Sequence, residues 1–294
     1  MTGTHRRRLV AVLAFTLTVL VVEAVGAVLS GSLALLADAG HMATDAAGVT
    51  MALIAATLAQ RAPTTRRTFG WQRVEILAAV INAVLLFGLA LYILVEAVKR
   101  LLAPPEVAST LMLVVALIGL VANSASLLLL HKAQAESLNT RGAYLEVLGD
   151  LVGSVAVVVA AVVIAVTGWV AADAVASLAV GVVILPRAWV LLREAVDVLL
   201  ETAPKGVDLA HVRHHIRCVP GVLDVHDLHA WTITSGLPVV SAHVVVDDAT
   251  ITGGHTGTVL DALRSCLAHH FDVEHSTFQI ESVEHRGHEG PVHD

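Results

Sequence analysis

Six apolar stretches, at 9–29, 33–58, 74–98, 111–130, 143–166 and 170–192, constrain this chain more than any other feature. A helix needs about 20 apolar residues to cross a bilayer, and each stretch is long enough. The breaks between them fit short connections: Ser30-Gly31-Ser32, Ala62-Pro63-Thr64, Pro104-Pro105, the polar run 131–141, and Thr167-Gly168. With 56% hydrophobic and 15% charged residues over 294 positions, the composition is that of a membrane protein. The runs are too many and too long for a signal peptide.

An even number of spans places both ends of the chain on one side, and basic residues choose the side. Arg6, Arg7, Arg8, Arg61, Arg66, Arg67, Arg73, Lys132, Arg141 and Arg193 flank one face, against Lys99 and Arg100 on the other. Positive residues stay inside, so both termini are expected in the cytoplasm.

After Pro204 the pattern becomes that of a soluble domain. A helix at 207–219, a strand at 222–234, a turn at 235–238, a strand at 239–247, a helix at 256–271 and a strand at 276–283 give an αββαβ order. This predicts a transport domain at 1–203, a small α+β cytoplasmic domain at 204–284, and a flexible tail at 285–294. The small domain has a modest core, which association with a second copy would enlarge. Cys218 and Cys266 form no metal knuckle, and are expected as reduced thiols. The net charge of −7 argues against nucleic acid.

Two polar pairs interrupt the apolar runs. His41 and Asp45 sit four residues apart in the second, and Glu146 and Asp150 in the fifth. That spacing puts each pair on one helix face. Burying one ionisable group in a bilayer costs about 2.5–3.5 kcal/mol on insertion scales, so four need a reason. A tetrahedral zinc ion takes four ligands of these types, and two helices supply them without loops. Gly40, Gly48, Gly149 and Gly153 beside the pairs would let the helices approach. Metal binding needs these groups deprotonated, so metal and protons compete for them. The contrasting explanation is polar contact between helices, worth only about a kilocalorie per bond.

The segments 33–45, 69–79, 145–154 and 225–231 together resemble those of the cation diffusion facilitator family, whose members exchange zinc and related metals for protons. The resemblance covers nearly the whole length. It implies six spans followed by a ferredoxin-like, metallochaperone-like domain, a homodimer in the plasma membrane, and alternating access without enzymatic chemistry. It also implies a cytoplasmic zinc site from His226, His243, His255 and Glu281, and a charge pair between Arg73 and Glu201, where the sixth span leads into the cytoplasmic domain, that locks the two protomers' cytoplasmic ends; the contrasting explanation for Arg73 is an arginine facing lipid phosphates. Zinc-preferring members carry His-x-x-x-Asp in both the second and fifth spans. Glu146 replaces the second His here, making an oxygen-richer site that should admit cadmium, cobalt, manganese or iron beside zinc. The fourth-to-fifth loop holds only His131, so a metal-collecting, His-rich loop is absent.

Asp38, Glu75, Asn82, Asn123 and Asp173 are further polar groups expected at membrane depth, satisfied by hydrogen bonds between helices or, for Asp38, widening a hydrated path. Glu23 and Glu96 are expected to reach the interface. His285, His288 and His293 in the tail are weak metal collectors at most. Two other functions fit a buried metal: an intramembrane metalloenzyme, which lacks its usual His-Glu-x-x-His here, and a metal sensor without transport.

Overall fold

The computed structural model describes residues 3–131, 138–271, 273 and 275–288, with side chains at 17–128, 147–268, 271, 273 and 275–288. The side chains of Arg6, Arg7, Arg8, His131, Lys132, Arg141, Glu146 and His293 lie outside that set. Six long helices come first: α1 Gly3–Ser30, α2 Leu33–Ala59, α3 Val74–Leu102, α4 Ser109–His131, α5 Leu138–Thr167 and α6 Ala171–Leu199. Long enough and apolar enough to cross a membrane are α2, α3, Ser109–Leu128 of α4, Val147–Thr167 of α5, and α6; Leu17–Ser30 of α1 is a shorter apolar helix. The protein is a multi-pass α-helical membrane protein. Several helices outrun the apolar stretches that announce them. Hydropathy marks where a helix meets lipid, and backbone bonding continues into polar sequence such as Arg193-Glu194.

Two compact units emerge. The first comprises residues 1–53 and 78–192, the second 54–77 and 193–294. In the first, helices meet on small side chains: Ala27, Ala34, Ala160, Ala161, Ala172 and Ala176 are buried together around Leu35, Met112 and Val157. Close approach of this kind replaces the hydrophobic drive that lipid removes. Val121, Val152 and Val183 point outward. Gly40 and Gly48 face Leu89 and Asn82 of α3, so they admit α3, not α5 as the spacing suggested. Pro186 sits inside α6, where neighbouring helices make its lost hydrogen bond tolerable.

The start of α2 is capped from a distant helix. Asp173 of α6 accepts hydrogen bonds from the Ser32 hydroxyl at 2.5 Å, from Leu33 N at 2.8 Å and from Ala34 N at 3.2 Å. Its own shell includes Arg100 at 3.8 Å, which also donates to the Gly31 carbonyl at 2.6 Å. Orphan amides at a helix start are usually met by a local side chain. Here the partner is 140 residues away in sequence.

The second unit contains α7 Leu209–Arg217, β1 Val222–Thr232, β2 Pro238–Val246, α8 Asp248–Thr252, α9 Thr256–Phe271, β3 His275–Glu281 and α10 Val283–Arg286. This is the expected αββαβ order with two short helices added. The sheet order is β1-β2-β3, antiparallel between β1 and β2 and parallel between β2 and β3. Val212 and Ile216 of α7 and Leu263 and Leu267 of α9 bury one sheet face against Val225, Val240, Ala242, Val244 and Val246. α10 carries helix across the expected start of the tail at 285, because Ser282 caps it by accepting from His285 N.

Candidate metal centres

On α2 and α5 of the first unit, three of the four expected groups are described and they converge. His41 Nε2 lies 3.5 Å from Asp45 Oδ2 and 3.3 Å from Asp150 Oδ1. One ligand atom from each falls within 4.8 Å of the others, and His41 is buried. Four residues on α2 bring His41 and Asp45 to one face, as the spacing requires. Glu146 lies on α5 one turn before Asp150, though its side chain is outside the described residues. His41 Nδ1 is buried without a hydrogen bond. An imidazole aimed at two carboxylates, in an apolar bundle, suits a divalent cation.

The group opens onto a cavity of about 120 Å³ bordered by Asp38, His41, Gly149, Asp150, Gly153 and Arg187. Gly153 lies beside Asp38, whose Oδ1 would make an ordinary 3.6 Å contact with a Cβ there. Asp38 is thus part of the cavity wall, and it is also hydrogen-bonded: Ser154 Oγ donates to its Oδ2 at 3.3 Å, and Asn123 Nδ2 donates to Ser154 Oγ at 2.9 Å. Arg187 was missed by sequence reasoning. A charged residue directly after a proline, deep in an apolar stretch, was the available signal.

Two expectations for polar membrane residues fail. Glu23 does not reach the interface; it is fully buried, and neither carboxyl oxygen has a hydrogen bond. Position along the helix axis suggested an exit, but its side chain points at α4, where Gly119 gives it space. Glu75 belongs to the second unit, where its Oε2 accepts from the Thr234 hydroxyl at 2.5 Å. Glu96 pairs with Lys99 and Arg100 near the end of its own helix.

A second group lies on the sheet of the second unit. Strand alternation turns Val240, Ala242, Val244 and Val246 to the core, and so His243 to the opposite face. His226 pairs with His243 across β1 and β2, with ring centroids 5.0 Å apart. Glu281 joins from β3, hydrogen-bonded to His226 Nε2 and 3.8 Å from His243 Nδ1. Both His226 and Glu281 are buried, and the three residues again offer ligand atoms within 4.8 Å. A break in register between His226 and His229 makes this possible. Asp227 takes φ +51°, a bulge that turns His226 away from the core while Leu228 and Ala230 enter it.

The remaining histidines divide differently from the expectation. His255 is exposed in the link to α9, outside the group of three, because the α8 turn carries it away from the strands. His285, expected in a tail, stands on α10 with Nε2 3.9 Å from Glu281 Oε2. Asp227 borders the group too, 3.8 Å from His243 Nε2 and 2.9 Å from His229 Nε2. Sequence reasoning missed its role because the bulge is a tertiary feature.

Arg73 and Glu201 form an ion pair of 2.8 Å within the second unit. Both are substantially exposed, and Glu201 adopts φ +57°. They border an open cavity of about 1040 Å³, with Arg67 stacked on Trp71 at 3.6 Å beside them.

Comparison with known proteins agrees with this architecture. The cation efflux transmembrane domain matches residues 9–200, and the cytoplasmic domain of cation efflux proteins matches residues 204–283. The chain is 47% identical over 279 residues to the metal cation efflux system protein CzcD of Cupriavidus metallidurans, spanning 95% of this chain and 87% of that protein. It is 43% identical to the zinc transporter ZitB of Escherichia coli, spanning 94% and 88%. It is 40% identical over 268 residues to a cadmium, cobalt and zinc/H(+)-K(+) antiporter of Bacillus subtilis, spanning 90% and 86%. A helical bundle with a His–Asp–Asp group around the buried His41, joined to an αββαβ domain and matched along nearly its full length, makes this chain a member of the cation efflux family of transporters, not an enzyme.

Proposed function

We propose that this protein exports zinc, and with it cadmium, cobalt, manganese or iron, from the cytoplasm across the plasma membrane in exchange for protons. Both termini face the cytoplasm in this reading. The observation that carries it is the convergence of His41, Asp45 and Asp150 within 4.8 Å inside a membrane bundle. Glu146, one turn from Asp150, is the fourth ligand.

The cargo is bound when the carboxylates are ionised and the imidazole is neutral. Protons arriving from the opposite side neutralise the same groups and expel the metal. Charge arithmetic favours at least two protons per ion. Moving a dication out against 100 mV costs about 4.6 kcal/mol, and each proton entering returns about 2.3 kcal/mol. Alternating access lets one set of side chains serve both sides in turn.

His226, His243 and Glu281 hold a second, non-transported metal that reports cytoplasmic metal and draws two copies into a homodimer. The exposed His255 is then offered to the second copy instead of to its own strands. The Arg73–Glu201 pair ties the span ends to the soluble domain as the bundle moves.

Proteoliposomes loaded with a zinc indicator and a pH dye test the reading. Zinc applied outside should enter only with opposite proton movement, and Asp45→Ala with Asp150→Ala should abolish both. Zinc-independent proton flux, or zinc flux without proton movement, rejects it.

A further inference from the structure

Glu23 is the most deeply buried carboxyl among the described spans. Its relative exposure is 0%, and neither oxygen has a hydrogen-bond partner. Its carboxyl end lies against Gly119 of α4, where a Cβ would come 2.0 Å from Glu23 Oε1 and make the side chain move. A buried polar group without a partner is costly, and an ionised one far more so. A fold that buries such a group, and then leaves it unpartnered, holds it for some purpose other than packing.

The charges that bear on Glu23 are Asp38 on α2 and Asp150 on α5. α4, packed against α1, contributes Gly119 there, and no described side chain of α4 is titratable. Among the described side chains of α1, Glu23 is the sole ionisable one. No hydrogen bond or ion pair joins it to His41, Asp45 or Asp150. It therefore feels the transport cavity through its field, without belonging to the metal group.

We propose that Glu23 is a proton-binding site of the transport cycle, separate from the metal ligands and loaded in opposition to the metal. With the cavity free of cation, burial without a hydrogen-bond partner is what chiefly keeps the proton on the Glu23 carboxyl, and the acids of the cavity add to it. A dication held at His41, Asp45 and Asp150 offsets the field of those acids. The Glu23 O–H bond then breaks, the proton passes to water admitted to the cavity, and the electron pair stays on the carboxylate. Asp38, bridged through Ser154 to Asn123, marks the polar lane beside α4 along which that water enters. This inference rests on the transport function proposed above.

Titration calorimetry of the full-length protein in detergent, with zinc added in buffers of differing ionisation enthalpy, counts protons released per zinc. Wild type should release about one proton more than Glu23→Gln, whose amide keeps shape without titrating, and Glu23→Asp should recover the difference. An equal count in wild type and Glu23→Gln overturns the proposal, as does complete loss of zinc binding in that variant. Infrared difference spectra of wild type and Glu23→Asp, with and without zinc, cover the case where Glu23→Gln does not fold. A protonated-carboxyl band that zinc removes and that shifts in Glu23→Asp supports the proposal, since bands of the ligand carboxyls stay unshifted; the absence of such a shift overturns it. Wild type that binds zinc but moves none across a membrane would reject the transport reading instead.

Discussion

The two His–carboxylate groups have nearly the same ingredients and opposite settings. In the bundle, His41 stands 3.3–3.5 Å from two half-buried acids, of which Asp150 borders a cavity, and it keeps a ring nitrogen without a partner. On the sheet, His226 is bonded to Glu281, both are buried, and three strands fix the geometry through their ladder. A site that must release its ion needs loosely satisfied ligands on elements that can shift. One that retains an ion is better built on a hydrogen-bonded sheet. In the function proposed above, satisfaction of the ligands before metal arrives, more than ligand type, separates cargo from resident.

Breaking the comparison at the bundle should give the largest effect. Replacing Asp45 or Asp150 with alanine removes a ligand; since even indirect supporting groups cost about 10–100-fold, zinc flux into everted vesicles should fall at least about 100-fold. Retained flux would sink the idea that this group carries the cargo. On the sheet, His226→Ala leaves Glu281 buried beside an empty place. The soluble domain should lose up to about 3 kcal/mol in denaturant melts of the full chain, while vesicle flux at saturating zinc survives. Loss of flux equal to that of Asp45→Ala would erase the distinction drawn here.

Glu146→His sharpens the comparison by making the bundle site more like the sheet site. Manganese and iron transport should drop relative to zinc, about tenfold, as nitrogen replaces oxygen; an unchanged ranking removes Glu146 from the ligand set. Smaller still is the Arg73–Glu201 pair, whose exposure limits its stability contribution to about 0–1 kcal/mol. Its effect should appear in transport, where Arg73→Glu and Glu201→Arg each impair flux and their combination recovers it. The least effect is expected at Asp247, which caps α8. Accepting hydrogen bonds from Thr250 holds its carboxyl below the usual range. A lowered value stabilises the fold above the ordinary carboxylate pKa of about 3.9 and loses that contribution as pH falls through the lowered one. Asp247→Asn should therefore flatten the acid limb of the melting curve slightly and leave neutral pH nearly unchanged.

The spans and the His41–Asp45 and Asp150 groups were legible because helical spacing and hydropathy are local. What sequence could not give was direction. Glu23 and Arg187 sit in apolar runs like any other polar interruption, and only packing shows that one enters a notch in α4 while the other borders the cavity. On the sheet, simple alternation would have put His226 on the same face as Leu228, and the bulge at Asp227 reverses that. His285 was read as tail because three residues after a strand rarely announce a helix, and His255, named by family likeness for a site at a dimer interface, lies outside the group of three that one copy forms.

The cap that Asp173 places on α2 has a mechanical consequence. A helix whose first amides are bonded to its neighbour cannot slide or swing at that end without tearing three hydrogen bonds in a dry setting. The Ser32 end of α2 is therefore a fulcrum shared with α6, and displacement grows with distance along the rod. His41 lies about two turns from the pivot and Asp45 three, so a modest tilt alters the spacing of the ligands far more than it disturbs the hinge.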